Sequence, residues 1–345
     1  MSESMRAAVF GASGYGGAEL VRLILGHPHL RLVSLHAHSR AGEPVARVLP
    51  SLQGLLNGEL EPLDSVRVDA DVVFLGLPHG ASAVHAKVLR KRGVRVVDLS
   101  ADFRLQDPSV YAEWYGEHGA PDLFGGAVYG LVEYARGALK GAEFIAVPGC
   151  YPTAALLTLS PLVESKLIEL DGIIVDAKSG VSGAGRRPSM VTHLPHAAEG
   201  VRAYKVAGTH RHTPEIEQLL SSLSGRDIRL SFTPHLVPMS RGILATAYAT
   251  AKDGVTEAQL REAAERRYGE SPLVEVVAEL PDTLWVRGGS RAHVSYRLDA
   301  RTGRVVAFGA IDNLLKGTSG QAIQALNVAM GWREDLGLEQ TGPWP

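Results

Sequence analysis

The only cysteine of the chain, Cys150, lies in the segment Val147-Pro148-Gly149-Cys150-Tyr151-Pro152-Thr153. A strand-like run precedes it, and Pro152 is typical of the first turn of a helix. The N–H groups and the dipole of a helix start stabilise a thiolate, so a cysteine placed there is a competent nucleophile. A lone cysteine can also be a small buried hydrophobe, and the segment alone leaves both interpretations open.

A second segment that could do chemistry is the turn Gly11-Ala12-Ser13-Gly14-Tyr15-Gly16-Gly17, between a strand-like run and a helical pattern. Glycines let a backbone approach a phosphate closely, and the N–H groups of a helix start attract it. The GxxGxxG spacing is weak by itself, so the strand-turn-helix context carries the prediction of a dinucleotide site. A tight turn without a ligand is the alternative. The residues assigned to the cofactor are Gly11, Ser13, Gly14, Tyr15 and Gly16.

The second strand-like run ends in His36-Ala37-His38-Ser39-Arg40, where an NAD enzyme usually has Asp or Glu. A cation beside a hydroxyl suits a 2′-phosphate. The sequence therefore predicts NADP(H), with Ser39 and Arg40 as its ligands. The alternative is that Arg40 is a solvated loop residue.

The composition is that of an ordinary globular protein, with 45% hydrophobic residues, 21% charged residues and a formal net charge of −2. No run of Lys and Arg is long enough to follow a phosphate backbone, so nucleic acid is not an expected partner. No apolar run reaches about 20 residues, and the N-terminus lacks a signal-peptide pattern. We therefore expect a cytoplasmic protein without membrane contact that acts on a small molecule.

Alternating strand-like and helical patterns predict an α/β fold, with a Rossmann-type doubly wound parallel sheet followed by an α+β catalytic domain that has a mostly antiparallel sheet. The expected boundaries are residues 1–149 for the dinucleotide-binding domain, joined by a C-terminal helix at 313–345, and 150–312 for the catalytic and oligomerisation domain. The predicted strands are 6–10, 31–37, 71–77, 94–99, 143–147, 172–177, 228–237, 243–251, 284–286, 292–298 and 304–310. The predicted helices include 18–25, 153–166, 256–268 and 312–330.

Several segments, in order over nearly the whole chain, resemble the N-acetyl-gamma-glutamyl-phosphate reductase family, which is similar in plan to aspartate-semialdehyde dehydrogenase. Pro-Gly-Cys-Tyr-Pro-Thr at 148–153 looks like the active-site signature of that family. The other matching segments are Gly-Ala-Ser-Gly-Tyr-Gly at 11–16, Leu-Ser-Ala-Asp-Phe-Arg at 99–104, Lys-Ser-Gly-Val-Ser-Gly-Ala-Gly-Arg at 178–186, His-Arg-His-Thr-Pro-Glu at 210–215 and Asp-Asn-Leu-Leu-Lys-Gly at 312–317.

The resemblance implies an NADPH-dependent enzyme that reduces N-acetyl-gamma-glutamyl phosphate to a semialdehyde. Cys150 is expected to expel phosphate and form a thioester, which accepts hydride far better than a carboxylate does. His210 is the expected proton shuttle and His212 the second candidate, although both can be ordinary polar loop residues. Asn313 is expected beside the nicotinamide, with capping of the next helix as the alternative.

The loop at 179–187 offers hydroxyls, glycines and guanidiniums that suit an anion, although its arginines can also be surface ion-pair partners. The residues assigned to the substrate are Arg104, Ser179, Arg186, Tyr204 and His212, with Glu199 as a further candidate. The residues added to the cofactor set are Ser182, Gly183 and Asn313. The histidine pairs at 193/196 and 210/212 complete no zinc-type ligand set, so no metal is predicted.

Two other functions remain open. One is a sister enzyme that reduces an aminoadipyl phosphate carried on a protein in lysine biosynthesis, and the other is a nicotinamide-nucleotide sensor without catalysis. Pro148 and Tyr151-Pro152 beside the cysteine look more like the arginine-pathway enzymes. The expected partners are the acyl phosphate and phosphate, and the resemblance implies a homodimer or homotetramer.

Overall fold

The chain divides into two compact units in the computed structural model, which describes residues 4–343. Of these, residues 4–148 and 318–339 form the first unit, and residues 149–317 and 340–343 form the second. The predicted boundaries differ by one residue at 149/150 and by five at 312/313, so the assignment of functional domains stays a prediction.

The first unit is built on a six-stranded parallel sheet, in the order β2-β1-β3-β4-β6-β5. Two of its inner strands, β3 and β6, are buried along their whole length, as expected for a parallel sheet that is covered on both faces. The strands are β1 (Met5–Phe10), β2 (Leu30–His36), β3 (Val72–Leu75), β4 (Arg95–Asp98), β5 (Val128–Tyr129) and β6 (Phe144–Ala146). The helices are α1 (Tyr15–Gly26), α2 (Val45–Val48), α3 (Ser82–Lys91), α4 (Pro108–Tyr115), α5 (Val132–Leu139) and α11 (Gly320–Ala329), with 3₁₀ turns at Pro50–Leu52 and Pro121–Leu123.

The second unit is built on a seven-stranded mixed sheet, in the order β11-β12-β13-β10-β7-β9-β8. Four of its six neighbouring pairs are antiparallel and two are parallel. The strands are β7 (Ile174–Ser179), β8 (Arg202–Ala203), β9 (Ser231–Leu236), β10 (Ile243–Thr250), β11 (Val274–Val276), β12 (Ala292–Asp299) and β13 (Arg304–Ile311). The helices are α6 (Cys150–Glu164), α7 (Leu194–Ala197), α8 (Thr213–Ser224), α9 (Glu257–Tyr268) and α10 (Thr283–Val286), with 3₁₀ turns at Val181–Ala184 and Met190–Thr192 and a π-helical turn at Leu315–Ser319.

Helix α6 packs against one face of this mixed sheet. A Cβ added to Gly309 of β13 would lie 2.1 Å from the Thr158 hydroxyl of α6, so the strand and the helix are in close contact. Thirteen consecutive residues of α6, Tyr151–Val163, are buried. The unit therefore holds the start of α6 rigidly, because a helix enclosed in this way cannot shift without moving the sheet.

The predicted fold class is confirmed, but the strand predicted at 284–286 is wrong. Residues Thr283–Val286 form the short helix α10, because the Asp282 carboxylate accepts the N–H of Leu284 at 2.8 Å and caps the turn. The predicted tail helix is also divided into the π-helical turn and α11.

Candidate active site

Cys150 is the first residue of α6, and the structure fixes both polar backbone groups of the preceding Gly149. The Gly149 N–H donates to Oε1 of Glu215 at 2.8 Å. The Gly149 carbonyl accepts from the N–H and the hydroxyl of Thr153, at 2.8 and 2.9 Å. Glu215 is only 1% exposed. The backbone next to Cys150 is therefore held by hydrogen bonds to residues of two helices, α6 and α8.

Sequence reasoning missed Glu215 as a site residue. It is the third residue of α8 and the last residue of the His-Arg-His-Thr-Pro-Glu segment. An acidic residue in a first helical turn usually has only the local role of stabilising the helix. Its position beside the histidines was the available signal, but its bond to Gly149 spans 66 positions and no local pattern reveals it.

Two tyrosines and His210 pack together next to this helix start. The Tyr204 hydroxyl donates to the Tyr151 hydroxyl at 3.2 Å, and the Tyr151 hydroxyl donates to the carbonyl of His235 at 3.1 Å. The His210 ring lies 5.5 Å from the Tyr204 ring and 5.7 Å from the Tyr151 ring, measured between centroids. Its centroid also lies 4.9 Å from that of His212. The structure thus brings three predicted site residues, Tyr204, His210 and His212, to the residue that follows Cys150.

Burial, assisted by the charge of Lys205, lowers the pKa of His210 to about 4. The ring is therefore neutral at physiological pH. Its Nδ1 accepts the backbone N–H of His212 at 3.1 Å, which leaves the single ring proton on Nε2. Burial raises the pKa of Tyr204 to about 12, and a negative charge on Cys150 would act in the same direction. The sulfur and the phenol are therefore electrostatic neighbours.

The loop after β7 brings together four more of the predicted residues. Ser179 is buried, and its hydroxyl donates to the Gly180 carbonyl at 3.0 Å. The Asn313 amide donates to the Ser182 hydroxyl at 3.0 Å. A Cβ added to Gly183 would lie 2.8 Å from the Ser179 hydroxyl and 3.7 Å from the Asn313 amide nitrogen. Arg186, at the far end of this loop, is half-buried.

The Asn313 side chain makes a hydrogen bond outside the turn that follows it. Its side-chain oxygen accepts the N–H of Gly242 at 2.8 Å, on a different loop of the same unit. The neighbouring Asp312 performs the capping instead, because its Oδ1 accepts the N–H groups of Leu314 and Leu315 at 2.8 and 3.0 Å. The Asn313 side chain therefore ties two site loops together.

Arg104, predicted as a substrate ligand, is a buried guanidinium of the first unit with 5% of its surface exposed. Its Nε donates to the Val147 carbonyl and its Nη2 to the Leu99 carbonyl, both at 2.7 Å. These carbonyls directly follow β6 and β4. Arg104 thus joins the carboxyl ends of two neighbouring strands, and its contact with a substrate stays a prediction.

The glycine-rich turn of the first unit has a geometry that only glycines permit. Gly11 has a φ of +87°, and a Cβ on it would lie 2.2 Å from the Gly76 carbonyl oxygen. A Cβ on Gly17 would lie 2.2 Å from the Gly11 carbonyl oxygen. Gly14 is the N-cap of α1 without a side-chain cap, and Tyr15 beside it is 41% exposed. The first N–H groups of α1 are therefore available to an anion. Ser13 and Gly16 lie in the same segment.

Ser39 and Arg40 form a turn after β2. Arg40 lies 3.4 Å from the carboxylate of Glu43, so it belongs to an ion pair and is not merely solvated. Sequence reasoning missed Glu43, which is three residues away and on the same turn. An anion bound by Arg40 would compete with this carboxylate.

Within residues 4–343, no helix has the length and apolar character needed to cross a membrane. In the same range, no three side chains of His, Cys, Asp or Glu are grouped so that they could hold a metal ion.

Comparisons with known families match both parts of the chain. The family model described as semialdehyde dehydrogenase, NAD binding domain, matches residues 6–142. The model described as semialdehyde dehydrogenase, dimerisation domain, matches residues 150–313. Among solved structures, aspartate semialdehyde dehydrogenase II from Vibrio cholerae has a TM-score of 0.70 at 16% identity, covering 94% of this chain and 98% of that chain. Aspartate semialdehyde dehydrogenase with NADP from Candida albicans has a TM-score of 0.64 at 16% identity, over 94% and 98% of the two chains. These structures share the fold.

Curated relatives match over the full length. The N-acetyl-gamma-glutamyl-phosphate reductase of Moorella thermoacetica is 46% identical over 99% of this chain and 100% of its own. The enzyme of the same name from Syntrophobacter fumaroxidans is 47% identical over 99% of each chain. Identity of this extent over both units shows the family, and the chain belongs to the N-acetyl-gamma-glutamyl-phosphate reductases.

Proposed function

We propose that the protein reduces N-acetyl-gamma-glutamyl phosphate to N-acetylglutamate semialdehyde with NADPH, releasing phosphate through a thioester on Cys150. The observation that carries the proposal is the start of α6, where the only cysteine has a fixed backbone and is followed by Tyr151, whose ring packs against the buried His210. The names of the full-length relatives support this substrate. A cytoplasmic location is part of the proposal, since a reactive thiol needs a reducing compartment.

The first half of the reaction is acyl transfer to sulfur. The Cys150 thiolate attacks the acyl carbon, a C–S bond forms, and the bond from carbon to the phosphate oxygen breaks with its electron pair going to phosphate. The proton given up by the thiol balances the one that the leaving phosphate takes. The Glu215 bond to Gly149 keeps the sulfur in position during the attack.

The second half is reduction of the thioester. NADPH supplies a hydride when bound, and the glycine turn with the α1 start fits its pyrophosphate because the first N–H groups of α1 lack a side-chain cap. The Nε2–H of His210 is a donor for the acyl oxygen, on which negative charge develops. When that oxygen re-forms its double bond to carbon, the C–S bond breaks and the thiolate is regenerated.

The preference for NADPH rests on Ser39 and Arg40 in the turn after β2. The solved relative from Candida albicans is described with NADP, which agrees with this assignment. Arg40→Ala removes the cation and leaves the Glu43 carboxylate in place. We expect the ratio of kcat/KM for NADPH to that for NADH to fall by about 10-fold or more, because a charge-assisted contact with the 2′-phosphate is lost.

The reaction run backward tests the proposal most directly. Purified protein is mixed with N-acetylglutamate semialdehyde, phosphate and NADP, and NADPH formation is followed at increasing phosphate concentration. The proposal requires a rate that depends on phosphate and disappears in Cys150→Ser. An equal rate without phosphate would contradict it. A parallel forward assay with carrier-bound aminoadipyl phosphate decides between the two candidate substrates, and a preference for the carrier-bound compound would overturn the assignment.

The second unit also supports a homodimer or homotetramer. One face of its sheet packs on α6, and the opposite face exposes side chains in register on three neighbouring strands, Ile174, Tyr248 and Val306. Ile174 is 39% exposed. A sheet face of this kind is usually covered by another layer, and the matching family model is described as a dimerisation domain. Sedimentation at micromolar concentration is expected to show a dimer or larger, and Tyr248→Glu is expected to weaken it.

A further inference from the structure

The segment between Tyr204 and His210 has an unusual backbone. Lys205 has a φ of 46°, Ala207 of 55° and Gly208 of 75°, so three of four consecutive residues are left-handed. Residues with a Cβ rarely adopt this conformation, and where they do it is often at functional sites. The third such non-glycine residue in the described chain, Lys166 with a φ of 57°, directly follows the C-cap of α6, where a left-handed residue is ordinary.

Both ends of this segment are held in place. The Tyr204 N–H donates to the Pro234 carbonyl at 3.1 Å, and its hydroxyl donates to the Tyr151 hydroxyl. His210 is 8% exposed, and its ring lies 5.1 Å from the ring of Phe232. Between these ends, the Thr209 hydroxyl donates to the Val206 carbonyl at 2.9 Å and closes the turn. The loop that contains Lys205 is therefore constrained at both ends and within its turn.

Lys205 supplies a positive charge that nothing on its own segment neutralises. Residues 200–212 contain Arg202, Lys205 and Arg211 but no Asp or Glu. Across residues 4–343, Lys205 takes part in none of the ion pairs between side chains. Its charge does reach His210, since it contributes to the lowered pKa of that ring. An exposed ammonium thus lies within electrostatic reach of the expected reacting centre.

Two of the three arginines predicted as anion ligands have partners within the protein. The Arg104 guanidinium donates to the carbonyls of Val147 and Leu99. Arg40 pairs with Glu43. Arg186 and Lys205 are the other candidate cations for the substrate, and Lys205 is the one whose charge acts on His210.

We propose that Lys205 binds the phosphoryl group of the substrate and holds it as it leaves, an inference that rests on the proposed function. The phosphate is attached to the carbon that Cys150 attacks, so it is released next to the imidazole. The carboxylate of an acylglutamyl chain is several bonds away from that carbon. A cation that acts on His210 is therefore placed for the phosphate rather than for the carboxylate.

The reverse reaction separates the two anions, because phosphate and semialdehyde are then different substrates with their own KM values. In Lys205→Gln the KM for phosphate is expected to rise about 10-fold or more, since a charge-assisted contact is lost. The KM values for semialdehyde and NADP are expected to stay within about 2-fold. Lys205→Gly should show the same rise, although it relieves the left-handed backbone. Lys205→Arg, which keeps the charge, should restore most of the phosphate affinity, and Lys166→Gln is the matched control.

Each other result overturns the inference. An unchanged KM for phosphate in both charge-removing variants would exclude Lys205 from the phosphate site. A rise in the KM for semialdehyde alone would assign the lysine to the carboxylate. A rise in Lys205→Gln but not in Lys205→Gly would show that loop conformation matters and charge does not. If wild-type protein itself shows no phosphate-dependent NADP reduction, the proposed function fails, whereas the preceding results contradict Lys205 alone.

Discussion

Helices α1 and α6 begin in the same way, and they differ in what their first turn presents. The N-cap Gly14 has φ −80° and ψ 166°, and the N-cap Gly149 has φ −68° and ψ 156°. Neither helix start has a side-chain cap. At α1 the next residue is the exposed Tyr15, and at α6 it is Cys150. In the proposed reaction, the α1 start binds the pyrophosphate of the cofactor and the α6 start carries the thiolate of Cys150.

The surroundings show why the two starts cannot exchange roles. The N–H of Gly149 is already taken by Glu215, so the α6 start is closed by the protein itself. The α1 start is shaped only by glycine backbone, with Gly11 and Gly17 too close to carbonyl oxygens to tolerate a Cβ. A helix dipole favours negative charge in both places. The anion that each helix start stabilises is therefore decided by the first residue of the helix and by the group that accepts a hydrogen bond from the N-cap N–H.

The largest effect is expected from removing the sulfur of Cys150 at the start of α6. Cys150→Ser should lower kcat on the order of 10⁴-fold, because a hydroxyl is a far weaker nucleophile and forms a poorer hydride acceptor. The Kd for NADPH, measured by fluorescence titration, should stay within about 2-fold of wild type, since the α1 start is untouched. Substantial turnover in this variant would remove the thioester from the mechanism.

The next prediction concerns the neutral imidazole of His210. The pKa of His210 is about 4 in the folded protein, below its usual 6.5, so the folded state disfavours the protonated ring. Its contribution to the free energy of unfolding is complete above pH 6.5 and is lost as the pH falls from 6.5 towards 4. His210→Asn should reduce this loss by about 3 kcal/mol at most, measured by urea unfolding at several pH values. Parallel wild-type and variant curves would mean that the ring is not held neutral.

A smaller effect is expected from a substitution at Gly317, which lies against the start of α6. A Cβ on Gly317 would lie 2.9 Å from the Cβ and 3.2 Å from the Cα of Cys150. Gly317→Ala should therefore displace the sulfur and lower kcat by about 30-fold, with a slower alkylation of Cys150 by iodoacetamide. Gly137→Ala in α5 is the matched control, because nothing lies within 4 Å of an added Cβ there. Equal activity of the two variants would show that the site tolerates a shift of the cysteine.

The fold class and the two helices could be predicted from the sequence, but their first residues were predicted imprecisely. Helix α6 was expected from residue 153 and begins at Cys150, and α1 was expected from residue 18 and begins at Tyr15. Both errors have one cause: a glycine N-cap lacks the side-chain oxygen that marks most helix starts. The converse error occurred at 284–286, where the capping Asp282 was present in the sequence and a β-rich trio outweighed it.

The residues that act at long range were not predictable. Glu215 reaches Gly149 across 66 positions, and a single sequence offers no sign of that pairing. Lys205 is distinguished by its positive φ, which cannot be predicted from the residue types in its segment. Cys150, His210 and Tyr204 could be predicted as site residues because residue type and resemblance point to chemistry directly. What remained hidden is tertiary: the contacts that hold these groups and the strain that positions them.

The smallest expected effect tests the open helix start alone. An added Cβ on Gly14 would meet only the Gly11 carbonyl oxygen, at the ordinary distance of 3.5 Å, so Gly14→Ala should fold and change the free energy of unfolding by less than about 1 kcal/mol. The methyl group would nevertheless stand where a pyrophosphate approaches, and the Kd for NADPH should rise by about 10-fold. Gly17→Ala is the contrast, because its Cβ would lie 2.2 Å from the Gly11 carbonyl oxygen and should destabilise the fold itself. If Gly14→Ala bound NADPH as tightly as wild type, α1 would not be the phosphate-binding helix, and the comparison with α6 would lose its meaning.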